Sequence, residues 1–336
     1  MPDAVDLQRL NLYVAARTRA VRFLLAQSNS DGSIGPVQER VFYYRVPWAL
    51  ALAGETSAAM AVLAWIARHV LTSDGELDGG PSEQHGRRRT ANTYAEANLA
   101  YGAYLLGRFD IAQRTMHFAL CGQDAESGGV FMDAGRGGPN DHQLLYLTAQ
   151  LGMSAALTGW TASAVSAGKW LRRVWETQPD LPARLYTIWS PSEGLVTSVP
   201  DGADAKHYID ESQQTRQYHY NGGIAAAFLC RLYFQTDDTA WLALAREYQQ
   251  FSMQSTPTQF ETKQVCKSAW GADGSWTNTP YLSPNPTLAD RIELTAEFAV
   301  HLDTIIGALT ATSLAHGGVP AAPSLVRSGR VSPVRD

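Results

Sequence analysis

Two kinds of helical segment alternate along the chain. In both kinds apolar residues recur at the spacing of an α-helix, and no segment keeps the strict alternation of a strand. One kind carries charges on one face, as 161–176 does with Lys169 and Arg173. The other kind is apolar or small almost throughout, as in 95–106, 144–157 and 222–232. A helix with charges on one face exposes that face to solvent, whereas a helix that is apolar all round is buried on every side. We therefore predict that outer and inner helices alternate along the chain.

A turn rich in glycine and acidic residues recurs between these helices, about six times by helix count. Clear copies lie at 27–35, 72–80 and 122–131, a weaker copy at 190–195 and a degenerate one at 271–276. A helical repeat of this kind sets the fold. We predict an all-α protein with little strand, an (α/α)6 barrel or toroid of six helical hairpins. It would form a single domain over 1–316, followed by a loosely ordered tail over 317–336.

The composition of the chain argues against several classes of partner and site. Charged residues make up 18% of the chain and hydrophobic residues 45%, which fits a globular protein with a large core. The net charge of −5 and the lack of a basic patch beyond Arg87–Arg89 argue against nucleic acid. Three scattered cysteines give neither a disulfide framework nor a zinc site. With no signal peptide and no long apolar run, we expect no membrane insertion and a cytoplasmic location.

Polar and aromatic residues cluster where the predicted inner helices start. Alternation of inner and outer helices places all six starts at one mouth of the barrel. Any single polar residue at a helix start is most simply a cap, but buried charge inside an apolar run is costly unless it is paired or bound. The main candidate site residues in these clusters are Tyr44, Trp48, Asn92, Tyr94, Glu96, Asp141, Tyr218, His219, Asn221, Lys263, Lys267 and Trp270. The clusters also include Arg45, Asn98, Tyr220 and Glu297.

The turn also carries a family resemblance. Leu24–Gln27 followed by 31–35, and 121–123 followed by 127–131, resemble the repeat of the αα-toroid superfamily of squalene cyclases and prenyltransferase subunits. The chain lacks the DxDD acid, the prenyltransferase zinc ligands and the DDxxD and NSE motifs of class I terpene synthases. Among such single toroids it most resembles the non-canonical fungal humulene synthases of secondary metabolism.

That resemblance implies a terpene cyclase, a lyase that ionises farnesyl diphosphate with Mg²⁺ and an essential lysine and forms a humulene-type sesquiterpene. Lys263 or Lys267 would be the lysine, since two cations at i, i+4 suit an anionic ligand, although a solvated surface pair is the alternative. Mg²⁺ takes oxygen ligands. The substrate would be a prenyl diphosphate, and the chain could pair with a second copy of itself as a homodimer. The metal ligands would be Asp141, Glu96 and Asn92, and the substrate would contact Tyr44, Trp48, Tyr94, Tyr218, His219, Asn221 and Trp270.

Two other functions stay open. Many (α/α)6 barrels are glycoside hydrolases, polysaccharide lyases or sugar epimerases, for which aromatic rings would stack on sugars. Asp141 and Glu293, or His219, would then be the acid and base. The third hypothesis is a scaffold without catalytic activity, in which the polar clusters are caps and the rings belong to the core.

Overall fold

The computed structural model describes residues 4–35, 43–77, 93–132, 141–198, 208–211, 217–255 and 288–315. This part of the chain contains ten helices and five short strands. The helices are α1 Ala4–Ala26, α2 Val46–Leu52, α3 Thr56–His69, α4 Tyr94–Leu105, α5 Phe109–Leu120, α6 Leu145–Thr158, α7 Thr161–Glu176, α8 Tyr220–Thr236, α9 Thr239–Gln254 and α10 Leu288–Ala315. The strands are β1 Gln143–Leu144, β2 Arg184–Tyr186, β3 Ile188–Ser190, β4 Gly194–Leu195 and β5 Tyr208–Asp210.

The helices form two concentric layers. The pairs α2–α3, α4–α5, α6–α7 and α8–α9 are hairpins, and α2, α4, α6 and α8 pack side by side in chain order. The last helix, α10, packs against α2 and is covered by α1. The inner layer is therefore α10, α2, α4, α6 and α8, and α1, α3, α5, α7 and α9 lie outside it. The predicted all-α toroid of inner and outer helices is confirmed, and the described residues hold five of its six predicted pairs.

The inner helices are buried on nearly all sides, and the core lies between the two layers. Trp170 on α7, Phe228 on α8 and Tyr248 on α9 are fully buried there. The hydroxyl of Tyr248 donates a hydrogen bond to the backbone carbonyl of Leu171, at 2.9 Å. This bond satisfies the polar end of a large ring deep in the core, where an unmade hydrogen bond would be costly.

The repeated turn has a specific packing role. Gly32, Gly75 and Gly128 adopt left-handed φ angles of +89°, +101° and +84°. A Cβ on each would lie only 2.3, 2.3 and 2.4 Å from a backbone carbonyl oxygen of the next outer helix. That oxygen belongs to the sixth residue of α3, α5 or α7 in turn, namely Ala61, Arg114 and Ser166. The glycine repeats because the turn of one hairpin lies directly against the backbone of the next.

The weaker copy of the turn, at 190–195, does not pack against an outer helix. It forms the antiparallel hairpin of β3 and β4, with Trp189 opposite Leu195. A Cβ on Gly194 would meet only the Trp189 ring, at 3.8 Å, so the close approach to an outer helix is missing. The copy at 271–276 lies outside the described residues.

Some helix ends differ from the predictions. Apolar spacing predicts the first inner helix over about 39–53, but it begins at Val46 because Pro47 has no N–H and is accepted only in the first turn. Helix α6 begins at Leu145 instead of Asp141, since Gln143 and Leu144 pair with Trp189 and Ile188 of β3. Strand β2 pairs with β5, with Leu185 opposite Ile209. The strands stay few and short, as predicted.

The predicted division into 1–316 and a tail over 317–336 stays a prediction, because residues after 315 lie outside the described part. Of the helices described, none combines the length and apolarity needed to cross a membrane.

Candidate functional site

A row of tyrosines joins the starts of four inner helices. Tyr44 precedes α2, Tyr94 and Tyr220 are the first residues of α4 and α8, and Tyr146 lies in the first turn of α6. Ring centroids are 6.3 Å apart for Tyr44–Tyr94, 5.9 Å for Tyr94–Tyr146, 5.7 Å for Tyr146–Tyr220 and 5.4 Å for Tyr220–Tyr218. These contacts put the four starts at one mouth of the barrel. We call Tyr44, Tyr94, Tyr146, Tyr218 and Tyr220 the tyrosine row.

A buried arginine lies against this row. Arg45, which is 3% exposed, donates from Nη1 to Glu297 Oε2 at 2.8 Å and from Nε to Asn98 Oδ1 at 3.4 Å. Its Nη2 donates to the Tyr94 hydroxyl. The guanidinium carbon also lies 5.1 Å from the Tyr44 ring centroid and 5.2 Å from that of Tyr94. One side chain therefore ties α2, α4 and α10 together beneath the mouth.

Glu297 also lies next to a second ionisable side chain on α10. His301, one turn later and 4% exposed, has its Nε2 3.6 Å from Glu297 Oε1. Tyr220 is buried, which raises the pKa of its hydroxyl well above the ordinary range, and the neighbouring tyrosines and Glu297 act in the same direction. Tyr220 is therefore a neutral phenol at the mouth at any physiological pH.

A second acidic group follows β5. Burial, and then the charge of Asp210, raise the pKa of the Glu211 carboxyl. Asp210 itself forms an ion pair with Arg184 at 2.8 Å. Its backbone N–H donates to Gln217 Oε1 at 2.6 Å, and Gln217 Nε2 donates to its carbonyl at 3.1 Å. Gln217 directly precedes Tyr218, so these bonds attach the Glu211 segment to the tyrosine row.

Glu96, a predicted metal ligand, has a structural contact. The side chain is fully buried, and Oε1 accepts a hydrogen bond from the backbone N–H of Leu77 at 3.1 Å. Leu77 belongs to the bridged turn before α4. In the next repeat Thr148 Oγ1 accepts from Val130 N–H at 2.9 Å in the same way. Both side chains hold a repeat turn against its inner helix.

The remaining predicted residues fall into three groups. Tyr44, Tyr94 and Tyr218 belong to the tyrosine row; His219 is buried beside it, and the Asn221 side chain donates to the Tyr218 carbonyl at 2.8 Å. Trp48 lies deeper, with its ring edge-on to Tyr101 at 4.9 Å, and Asp141 is half-buried before β1. The described residues do not include Asn92, Lys263, Lys267, Trp270 or the side chain of Glu293.

Tyr146 was absent from the predicted site although it is central to the row. A signal for it exists in the sequence: Tyr94, Tyr146 and Tyr220 each lie at the first or second position of an inner helix. A single tyrosine in an apolar helix looks like core, and only the comparison of three helices separates the two roles.

Within the described ranges, no three His, Cys, Asp or Glu side chains come together in a way that could hold a metal ion. Glu96 is bonded to the Leu77 turn, and Asn92 lies in an undescribed stretch. The Mg²⁺ site stays a prediction.

Comparison with known proteins finds a structural likeness and no sequence match. No family model and no curated protein sequence matches the chain. Among solved structures, a GH76 alpha-mannanase of Bacteroides thetaiotaomicron matches with a TM-score of 0.49 and 12% identity, over 86% of this chain and 82% of that chain. At this identity and TM-score, the likeness does not carry the mannanase activity over to this chain.

The match corrects the resemblance drawn from the turn. The neighbour is a glycoside hydrolase, so the identification with humulene synthase-type terpene cyclases is contradicted, as are the prenyl diphosphate lyase activity and the sesquiterpene product. The physical reason lies in the residues that carried the resemblance. Gly32 and Gly128 pack turns against outer helices, a role in the fold that specifies no chemistry.

Proposed function

We propose that this chain is a carbohydrate-active enzyme whose site is the mouth lined by the tyrosine row. The observation that carries the proposal is the row itself, in which four successive inner helices each bring a tyrosine to one end of the barrel. Directly beneath it lies the buried Arg45–Glu297 pair.

Tyrosines suit a sugar because each offers two kinds of contact. A pyranose ring has an apolar face and a rim of hydroxyls, and tyrosine combines a ring face with a hydroxyl that donates and accepts. Tyr94, Tyr146 and Tyr218 are partly exposed and available for such contacts, whereas Tyr44 and Tyr220 are buried behind them. A concave, aromatic site with few polar groups is the usual form of a small-molecule pocket.

Arg45 makes the mouth rigid. Its bonds to Glu297, Asn98 and the Tyr94 hydroxyl fix the orientation of that ring, and positioned side chains spare the entropy of ordering them when a substrate binds. Arg45 therefore acts as a positioning residue, since its own charge is compensated by Glu297.

Glu211 is our candidate for the general acid. A general acid must hold its proton at the working pH, and burial raises the pKa of Glu211 in that direction. Asp141, which lies before β1, is the candidate for the base. Hydrolysis, elimination and epimerisation all use such a pair, and the product distinguishes them.

Two further expectations concern the setting of the enzyme. Cys121 and Cys230 are free thiols, which favours the reducing cytoplasm as the place where it works. A homodimer also stays a prediction, which the molar mass in solution would test.

The test is turnover of a panel of neutral and uronate-containing oligosaccharides. New reducing ends would indicate hydrolysis, ultraviolet absorbance of an unsaturated uronate would indicate elimination, and a changed sugar signal in the proton NMR spectrum would indicate epimerisation. We expect one of these for the wild type and its loss by at least about 100-fold in Glu211→Gln. A matched control is Glu193→Gln, an exposed glutamate on the β3–β4 turn. Folded protein that transforms none of the panel would refute the proposal.

A further inference from the structure

On three inner helices, the face that carries a tyrosine of the row can be followed along the helix, away from the mouth. Positions i, i+4, i+7 and i+11 lie on one face of a helix, so each stripe continues downwards from a tyrosine of the row. The steps correspond to depths of about 6, 10 and 16 Å along the helix. The stripes are Tyr94, Asn98, Tyr101 and Leu105 on α4; Tyr146, Gln150, Met153 and Leu157 on α6; and Tyr220, Ile224, Ala227 and Arg231 on α8.

The second layer of these stripes is closed. Asn98 and Ile224 are 0% exposed, and Gln150 is 3% exposed. Arg45 fills the same depth, since its Nε bonds to Asn98. The interior is therefore filled at this level, and the mouth with its tyrosine row is separated from the far half of the barrel.

Exposure returns below the closed layer. Met153 stays buried on α6, but Tyr101, Leu157 and Ala227 are half-buried, and Leu105 and Arg231 are exposed. The Trp48 ring stands at 90° to that of Tyr101, with centroids 4.9 Å apart. These exposures favour an opening of the far half of the barrel to solvent at the end opposite the tyrosine row, which we call the far concavity.

One polar group in this concavity has no partner. Trp48 is only 7% exposed, and its indole N–H finds no acceptor among the described residues. A buried N–H left without an acceptor costs free energy, and an oxygen atom of a bound molecule would recover it. The unpartnered donor, the apolar walls and the cation at the rim together point to a ligand.

We propose that this far concavity, formed by Trp48, Tyr101, Leu157, Ala227 and Arg231, binds an amphipathic monocarboxylate. The apolar body of the ligand would lie against the rings and aliphatic side chains, and its carboxylate would meet the guanidinium and the indole N–H. This site is separate from the mouth and does not depend on the carbohydrate activity proposed for it.

Electrostatics across the barrel fit this geometry. Burial raises the pKa of the Tyr101 hydroxyl, and the positive charge of Arg231 acts in the opposite direction. Tyr101 is on α4 and Arg231 on α8, with α6 between them in the ring. The charge therefore acts on Tyr101 across the interior, where the carboxylate of a ligand would lie.

Calorimetric titration of the full chain with octanoate, and with 1-octanol as its uncharged counterpart, tests the proposal. We expect octanoate to bind and Arg231→Gln to weaken it about fivefold while leaving 1-octanol unchanged. Ala227→Trp should fill the concavity and abolish binding of both. Lys169→Gln, an exposed cation on the outer helix α7, and Tyr146→Ala at the mouth should leave both affinities unchanged.

Circular dichroism checks that each variant is folded. Should Ala227→Trp fail to fold, Arg231→Gln together with the octanoate–octanol comparison still decides. The proposal is overturned if octanoate does not bind, if Arg231→Gln leaves its affinity unchanged, or if Tyr146→Ala removes the binding. Loss of glycan turnover with octanoate binding intact would refute only the function proposed for the mouth.

Discussion

The role of the repeated glycine can be separated into two parts by substitution. Gly128 has a φ of +84°, and a Cβ there would lie 2.4 Å from the carbonyl oxygen of Ser166 and 2.6 Å from its carbon. Gly107 also has a positive φ, +70°, but a Cβ there would meet no atom within 4 Å. Both alanine variants carry the backbone cost, and only Gly128→Ala adds the clash with α7.

The magnitudes follow from these two terms. A non-glycine residue in the left-handed region costs about 1–2 kcal/mol, of which about 0.4–1 kcal/mol is regained because alanine restricts the unfolded chain. Forcing a packed backbone apart costs about 1–3 kcal/mol more. We therefore expect Gly107→Ala to lower the free energy of unfolding by about 1 kcal/mol and Gly128→Ala to lower it by about 3 kcal/mol.

Equilibrium unfolding in urea, followed by circular dichroism at 25 °C, measures both values. Gly75→Ala is a second test, because its Cβ would lie 2.3 Å from the carbonyl oxygen of Arg114. Equal losses for Gly107→Ala, Gly75→Ala and Gly128→Ala would refute the packing role and leave the φ angle as the sole reason for the repeat.

Three other predictions concern buried polar groups. Arg45→Ala should destabilise the fold by about 3–5 kcal/mol because it leaves Glu297 buried without its cation, whereas Arg108→Ala in an exposed pair should cost under about 1 kcal/mol, both read by urea unfolding. Glu96→Leu should cost about 1–3 kcal/mol by orphaning a backbone N–H, and Glu96→Gln should cost less because its amide oxygen still accepts; equal losses would refute this contact. The pKa of Glu211 is raised above 4.5, so its stabilising contribution is present below pH 4.5 and is lost as pH rises through the raised pKa. Glu211→Gln should therefore flatten the decline in stability above pH 4.5, and unchanged pH dependence would contradict it.

The fold could be predicted because its signals are local. Helix α7 begins and ends where periodicity predicts, at Thr161 and Glu176. Helix α9 begins after an aspartate, a residue type favoured at helix starts, and the Asp238 side chain accepts from Ala240 N–H at 2.9 Å. Pro47 shows where local signals fail. The apolar spacing upstream of it predicts more helix, but α2 begins only at Val46 because a proline is accepted only in the first turn. The alternation of helices also predicts a common mouth, and the tyrosine contacts join four of the six predicted starts there.

The site could be predicted only in part, because its contacts are long-range. Arg45 and Glu297 are far apart in the sequence, and nothing local to either reveals the 2.8 Å bond between them. Glu96 shows the reverse case: a buried carboxylate that is predicted as a metal ligand makes a contact that holds a turn. The resemblance rested on turn glycines, which encode packing, and so it carried information about the fold and none about the reaction.

Saturation-transfer NMR with the same oligosaccharide panel tests the mouth most directly. The wild type, Tyr146→Ala in the tyrosine row and Tyr104→Ala would be compared; Tyr104 is 39% exposed near the end of α4, away from the mouth. We expect a sugar to bind the wild type and Tyr104→Ala, and to bind Tyr146→Ala about tenfold more weakly, since a ring contact is worth about 1.4 kcal/mol. No bound sugar, or equal binding by both variants, would contradict a carbohydrate site at the tyrosine row.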